Sequence, residues 1–213
     1  MSTTISRDNP LPNFPSWLGR GLLLVAIGLC AKTLHAQEMT LELDPANTHI
    51  EFTVAATLHT VHGTFALKSG TIHFDPSTGS ASGMVVVDSS SGDSGNTGRD
   101  HKMHQQILES ERYPEITFTP TKFSGKLELQ GDSTVQLDGI FRLHGTGHPL
   151  TLPVPVQVKG SNLSARTHIT IPYIAWGLRN PSTFLLHVND KVDIDITAVG
   201  RVQPVQSQPT PDH

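Results

Sequence analysis

One cysteine, Cys30, is all that the 213 residues contain. No disulfide can form within the chain, and a thiolate-rich metal centre is excluded with it. Long apolar runs are equally scarce. The clearest, Gly21–Leu29, falls well short of the roughly 20 residues that a membrane-crossing helix needs. No cluster of Lys and Arg stands out, which argues against a nucleic-acid partner and against anchoring to an anionic membrane surface. A nucleophile elbow, a His-Glu-x-x-His helix and a phosphate loop are all missing, and the carboxylates are scattered singly. Nothing here reads as an enzyme, and no catalytic residue is assigned.

The short apolar run does have a reading. Arg20 precedes it, giving the charged and apolar regions of a secretory signal, with cleavage expected after Ala36 and Gln37 as the new N-terminus. An uncleaved signal anchor is the alternative. Cys30 follows Leu29 rather than a small residue, so it makes a poor lipid acceptor. Residues 1–36 would take three of the 15 Lys+Arg and one of the 19 Asp+Glu with them, leaving 12 against 18. Residues 37–202 then form one domain, large enough for a substantial core without a disulfide. The proline-bearing tail, 203–213, is expected to be disordered. The protein is expected in the periplasm or outside the cell.

What the domain has in abundance is alternation. Ile50, Phe52 and Val54 alternate with Glu51 and Thr53; Val135, Leu137, Phe141 and Leu143 form a second set. Leu150 to Val158 and Val192 to Ala198 repeat the pattern. A period of two puts these side chains on one face of a strand. So many one-faced strands need one shared interior, a closed antiparallel barrel or a sandwich. Turns are expected at Ser69-Gly70 and Asp75–Gly79. The period changes once, over Thr97–Arg112, where Met103, Ile107 and Leu108 share a helical face and Thr97 with Asp100 resembles a capping box. This one amphipathic helix, near residues 98–110, should lie across the sheet or over an open barrel end. Pro153 and Pro155 cannot donate to a ladder, so their strand should either run along a loosened seam or carry a bulge.

Three blocks carry a resemblance. Asp44-x-x-x-Thr48-His49-Ile50-x-Phe52 leads to Val61-His62-Gly63-Thr64-Phe65 and to Gly70-x-Ile72-x-Phe74-Asp75. Gly98-Arg99-Asp100-His101-Lys102-Met103-His104 runs through Leu108-Glu109-Ser110 to Tyr113-Pro114-Glu115-Ile116-Thr117-Phe118. Gly139-x-Phe141-x-Leu143-His144-Gly145 is followed by Leu150-x-Leu152. In this order the blocks, over residues 40–200, resemble the YceI-like family. The Ser/Gly-rich stretch Ser89–Thr97 and the segment Trp176–Ser182 depart from that pattern. The resemblance implies a lipocalin-like, all-β antiparallel barrel with a helix beside it, exported to the periplasm, whose apolar tunnel holds an isoprenoid lipid of polyprenyl or quinone type.

A barrel of about eight strands is just wide enough to hold one apolar ligand in place of a packed core. Its wall must be apolar, since an isoprenoid tail offers only area to remove from water. By alternation the inward, lipid-lining candidates are Phe52, Val54, Phe65, Ile72, Phe74, Phe118, Phe141, Leu143, Leu152 and Val154, with Trp176 and Phe184 at the tunnel mouth. The same alternation also fits plain core packing. A tryptophan exposed at a mouth would give two copies reason to pair, so a homodimer is a second expected partner.

Two rival readings stand beside the carrier. Twelve histidines, with His59-x-x-His62 and Asp100-His101-x-x-His104, suggest a metal- or haem-handling protein. No third ligand follows at a fixed spacing, so no metal site is assigned. His62 and His144, each beside a glycine, are expected to bind backbone at hairpin ends, and His101 and His104 to be exposed. Arg99-Asp100 is read as an ion pair at the helix start. The other rival is a solid-cored interaction domain working through Trp176–Phe184.

Overall fold

The computed structural model describes residues 37–57, 59–183 and 186–205. The expected leader, residues 1–36, lies outside them. Ten strands follow in chain order: β1 (Met39–Leu43), β2 (His49–Ala55), β3 (Thr60–Phe65), β4 (Leu67–Phe74), β5 (Ala81–Asp88), β6 (Glu115–Ser124), β7 (Gly131–Leu143), β8 (Thr146–Lys159), β9 (Asn162–Ile171) and β10 (Val192–Pro204). Every pairing is antiparallel, and β1 pairs with both β4 and β10, so β1-β4-β5-β6-β7-β8-β9-β10 closes into an eight-stranded barrel. The lipocalin-like architecture is therefore present, and the sandwich is not. A short helix, α1 (Thr97–Lys102), continues as one wider π-type turn over Met103–Ile107.

The β2–β3 hairpin extends this ring on one side. Strand β10 is long enough to carry two partners on one edge: β1 opposite Gly200–Pro204 and β2 opposite Asp193–Thr197. Between them the chain bends at Asp44–Thr48. Such a bend strips the ladder partners from Val199, and an unpaired buried backbone group costs about 1–3 kcal/mol. Thr48, itself buried, replaces them. Its hydroxyl accepts from Val199 N–H at 3.2 Å and donates to Val199 C=O at 3.4 Å, while Asp44 N–H reaches the same carbonyl at 2.8 Å. The Asp44 carboxylate shapes the turn by accepting from Asn47 and from Ala46 N–H, bonds that hold its pKa below the usual carboxylate value.

Antiparallel connectivity sends alternate connections to opposite ends. At one end lie the short turns β4–β5, β6–β7 and β8–β9. At the other lie β2–β3, the insertion between β5 and β6, the two-residue turn between β7 and β8, and the segment between β9 and β10. The short-turn end is packed solid. Met39, Ile72, Phe74, Phe118, Phe123, Val135, Leu152, Val154, Val158 and Leu163 fill it, with the Phe74 and Phe123 rings stacked at 4.8 Å.

Several local expectations need correcting. Ser69-Gly70 is not a turn but part of β4, with a bulge between Leu67 and Ser69. Gly70 is needed for closeness, since a Cβ there would sit 2.7 Å from Leu43 Cδ1. The tail does not begin at 203: β10 continues through Gln203 and Pro204 against Thr40 and Met39, and residues 206–213 lie outside the described ones. The helix is capped by Asn96, whose side chain accepts from Arg99 N–H, not by Thr97. His62 is mid-strand and meets the Thr53 hydroxyl at 3.1 Å, away from any hairpin end.

The prolines answer the seam question. β8 pairs with β7 along its whole length, Pro153 opposite Gln136 and Pro155 opposite Thr134, but with β9 only over Val156–Lys159. Thr167 Oγ1 donates to Pro153 C=O at 3.1 Å, so that residue's missing N–H also faces β9, where no ladder needs it. The seam beside the prolines is loosened.

Thr48→Val keeps the shape of the bend and removes its hydroxyl. We expect a loss of about 1–3 kcal/mol in urea unfolding; a change within a few tenths would mean that water already serves Val199.

Candidate functional site

At the end with the long connections the barrel is hollow. A cavity of about 670 Å³ lies there, within the range of about 300–1,000 Å³ typical of small-molecule sites. Its wall is built mainly from alternate residues of five strands, with Val87 of β5 and Ile116 of β6 completing it. Ile50, Phe52 and Val54 come from β2, Val61 and Phe65 from β3, Phe141 and Leu143 from β7, Ile169 and Ile171 from β9, and Val192, Ile194 and Ile196 from β10. Met103, Ile107 and Leu108 add the apolar face of the helical segment. The helix thus lines the open end, as its amphipathic face requires.

The insertion between β5 and β6 is fastened so that it can do this. Asp93 exchanges two backbone hydrogen bonds with Thr64 on the outer edge of β3, at 2.8 and 3.0 Å, and Ser91 Oγ accepts from Ala66 N–H. Gly63 makes the approach possible: a Cβ there would lie 2.4 Å from both Asp93 O and Phe52 Cζ. The Phe52 and Phe65 rings pack beside it at 5.4 Å. Arg99 and Asp100 do not pair directly. Arg99 donates to the Ser94 hydroxyl and carbonyl, both at 2.7 Å, and Asp100 accepts from the Ser94 N–H and hydroxyl. Burial pushes the Asp100 carboxyl up, but those two bonds and the Arg99 charge outweigh it and hold the pKa below normal.

Three connections rim the mouth. Ala56 and His59 come from β2–β3, Ser94 to Lys102 from the insertion, and Tyr173 to Val188 from β9–β10. The first and third are zipped together: Thr57 N–H donates to His187 C=O at 2.9 Å, and Asn189 N–H to Ala55 C=O at 2.8 Å. Tyr173 braces this arrangement by donating its hydroxyl to Asn189 C=O at 2.6 Å. Burial, and secondarily the negative charge of Asp190, pushes the Tyr173 phenol up to about 12.

The sequence-derived candidates divide by height in the barrel. Phe52, Val54, Phe65, Phe141 and Leu143 border the cavity. Ile72, Phe74, Phe118, Leu152 and Val154 belong instead to the packed end. Trp176 is not at an open mouth: its ring lies flat on His148, 3.8 Å between centroids and 3° between planes, with Phe141 at 5.9 Å. One face of the half-buried indole is thereby covered by His148. Phe184 lies outside the described residues. Alternation missed the wall of β9, Leu178, and the polar rim. The signal that could have found them was connection length, because the two longest connections mark the hollow end.

The histidines disperse. His59 borders the mouth while His62 is exposed on the outer face. His101 is exposed, but His104 is half-buried and its Nε2 reaches Gly92 C=O at 2.9 Å. Among the described residues no three His, Cys, Asp or Glu come together to hold a metal. His144 binds no backbone group. It sits with φ of 50° in the two-residue turn before Gly145, against the Tyr113 ring at 4.3 Å and Glu109 at 3.3 Å. Ser110 lies 3.4 Å from His104 Nδ1, yet its hydroxyl donates to Ser89 C=O and the pair is away from the cavity wall. That serine is a fastening of the insertion.

The YceI-like domain model matches residues 41–200. Among solved structures, BcnA of Burkholderia cenocepacia superposes with a TM-score of 0.60 at 18% identity, covering 74% of this chain and 98% of that one. A polyisoprenoid binding domain from Saccharophagus degradans, implicated in plant cell wall breakdown, gives 0.58 at 16% identity, covering 76% and 98%. The YCEI protein of Campylobacter jejuni gives 0.55 at 18%, covering 68% and 86%. At these identities the likeness speaks for the fold. No curated protein matches.

Because folding holds the Tyr173 proton beyond the ordinary phenol value, about 10, its contribution is intact below that value. It is lost as pH rises toward about 12. Tyr173→Phe should abolish the late rise in phenolate absorbance and flatten that alkaline limb of unfolding. A late rise that persists in the variant would assign it elsewhere.

Proposed function

Because the chain belongs to the YceI-like domain family, we propose that it is an exported binding protein. It holds one isoprenoid-type lipid, with a polyprenyl or quinone-type tail, in its barrel without altering it chemically. The observation that carries this reading is the hollow end of an otherwise packed barrel, about 670 Å³ with an almost wholly apolar wall. At about 30 Å³ for each water-sized group, it has room for roughly twenty such groups, the bulk of a short isoprenoid chain. The wall offers area and few hydrogen bonds, so it selects by shape and burial, about 25 cal/mol for each Å² removed from water.

Energetics favour an occupant. Open at its mouth, the unoccupied hollow keeps its apolar wall facing water or void, which costs about 25 cal/mol for each Å². A slender apolar guest restores the missing contacts. The likeness to a polyisoprenoid binding domain supports the same ligand class, and the secretory-type segment ahead of Gln37 supports export to the periplasm. The solid-cored interaction domain is disfavoured by the hollow itself.

Native mass spectrometry of protein isolated from a bacterial host without detergent should find a bound apolar molecule, and stripping it should lower the melting temperature. Ile194→Trp, projecting into the hollow, should cut lipid uptake by about tenfold. A mass equal to the bare polypeptide, with uptake unchanged in that variant, would defeat the carrier reading.

A further inference from the structure

The hollow stops at a definite layer, and β7 shows where. From the open end to the packed end its inward positions read Leu143, Phe141, Gly139, Leu137 and Val135. Leu143 and Phe141 border the cavity, while Val135 belongs to the packed core. Gly139, between them, has no side chain, yet it is buried and leaves no gap. The Phe118 ring takes the space: a Cβ on Gly139 would lie 2.6 Å from Phe118 Cζ. Phe118 is the register partner of Phe141, is itself buried, and is not part of the cavity wall. It is the first filled layer beneath the ligand space. Strand β10 repeats the device. Ile194 and Ile196 border the cavity, Ala198 and Gly200 follow, and a Cβ on Gly200 would lie 3.0 Å from Leu41 Cδ1.

From this we infer that Phe118, seated in the space Gly139 leaves, is a length stop that selects short isoprenoid chains. The inference rests on the lipid reading above and deepens it. The stop is rigid where the mouth is not. Gly139 also draws the two strands together, since its Cβ would meet Thr119 C=O at 2.5 Å, and the next residue of β6, Pro120, is fully buried. A ring boxed in by close backbone has no second place to go. At the other end of the cavity the helical segment presents Met103, a side chain that adapts to what it meets. A chain that enters tail first is therefore measured from a fixed floor. With about 670 Å³ above that floor, and about 30 Å³ for each water-sized group, the limit falls at roughly four five-carbon units. Units beyond the limit stay outside the mouth, in water, where they add nothing to burial.

The test offers lipid-stripped exported protein five alcohols in turn: geraniol, farnesol, geranylgeraniol, pentaprenol and nonaprenol. Each is delivered from cyclodextrin, and the bound fraction is read by native mass spectrometry. In the native protein uptake should peak near geranylgeraniol and fall by about tenfold at nonaprenol, whose surplus units leave the carrier for water. Phe118→Ala removes the ring and opens dry space for about one more unit. It should raise the pentaprenol-to-geranylgeraniol ratio about fivefold, a comparison in which the delivery step cancels. Phe118→Leu, the milder change should the alanine variant fail to fold, should raise it about twofold. Phe74→Leu disturbs the stacked pair with Phe123 deep in the packed end and should leave the ratio unchanged, with melting curves recorded for every variant. Uptake that keeps climbing to nonaprenol would overturn this inference and leave the lipid reading standing. So would a ratio unmoved in the folded Phe118 variants, or one moved equally by Phe74→Leu. Failure of all five alcohols to bind would overturn the inference and the lipid reading together.

Discussion

The structure depends on Val199 and the hydroxyl that serves it. Strand β10 must hold β1 to close the ring and β2 to extend it, and one edge can do both only if the chain bends between the two partners. Thr48 supplies the hydrogen bonds the bend removes. Below the bend, β1 and β4 complete a tight barrel that side chains fill. Above it, β2 and β3 continue the wall in place of β1 and β4, and the insertion after β5 lies beside β3 through the Thr64–Asp93 exchange. A wall made partly of helix is wider than one made of strands alone. The packed and hollow ends therefore follow from one bend.

The two ends also divide the chemistry. Short turns close the packed end and leave little chain there to build a rim. The long connections at the other end carry the polar residues of the site, among them Ser94, Asn96, Arg99 and Lys102. Their positions are set by fastenings well away from the ligand space: Ser91 on Ala66 N–H, His104 on Gly92, and Ser110 on Ser89. The loosened β8–β9 seam is backed by Trp176 stacked on His148. The stack lies at the level where Phe141 meets the cavity, five residues along β8 from Pro153.

The alternation made the strands and the inward face legible, because period two is a local property that any half-buried strand must obey. Phe52, Phe141 and Leu143 were found that way, and so were Ile72, Phe74 and Leu152. What alternation could not do was separate these two groups. All six point inward, and only their height along the barrel axis decides whether they meet ligand space or each other. The helix was legible from Met103, Ile107 and Leu108, but its cap was displaced by one residue, since Asn96 and Thr97 are both good cap types and the loop geometry chose between them. His104 was misread as exposed because its Gly92 partner lies twelve residues away in a folded loop.

The amino-acid order by itself determined an all-β fold, the point where one helix interrupts it, and the family pattern that implied a barrel; alternation alone left barrel and sandwich open, and closure was decided by the pairing of β1 with both β4 and β10. Only the tertiary structure decided that one end of the interior is hollow, that no carboxylate among the described residues lines it, and that Arg99 and Lys102 border it. The reason is geometric. Volume and charge inside a barrel are properties of the whole ring, fixed by register, by the bend at Thr48 and by where the long connections land, and none of these is carried by any one segment.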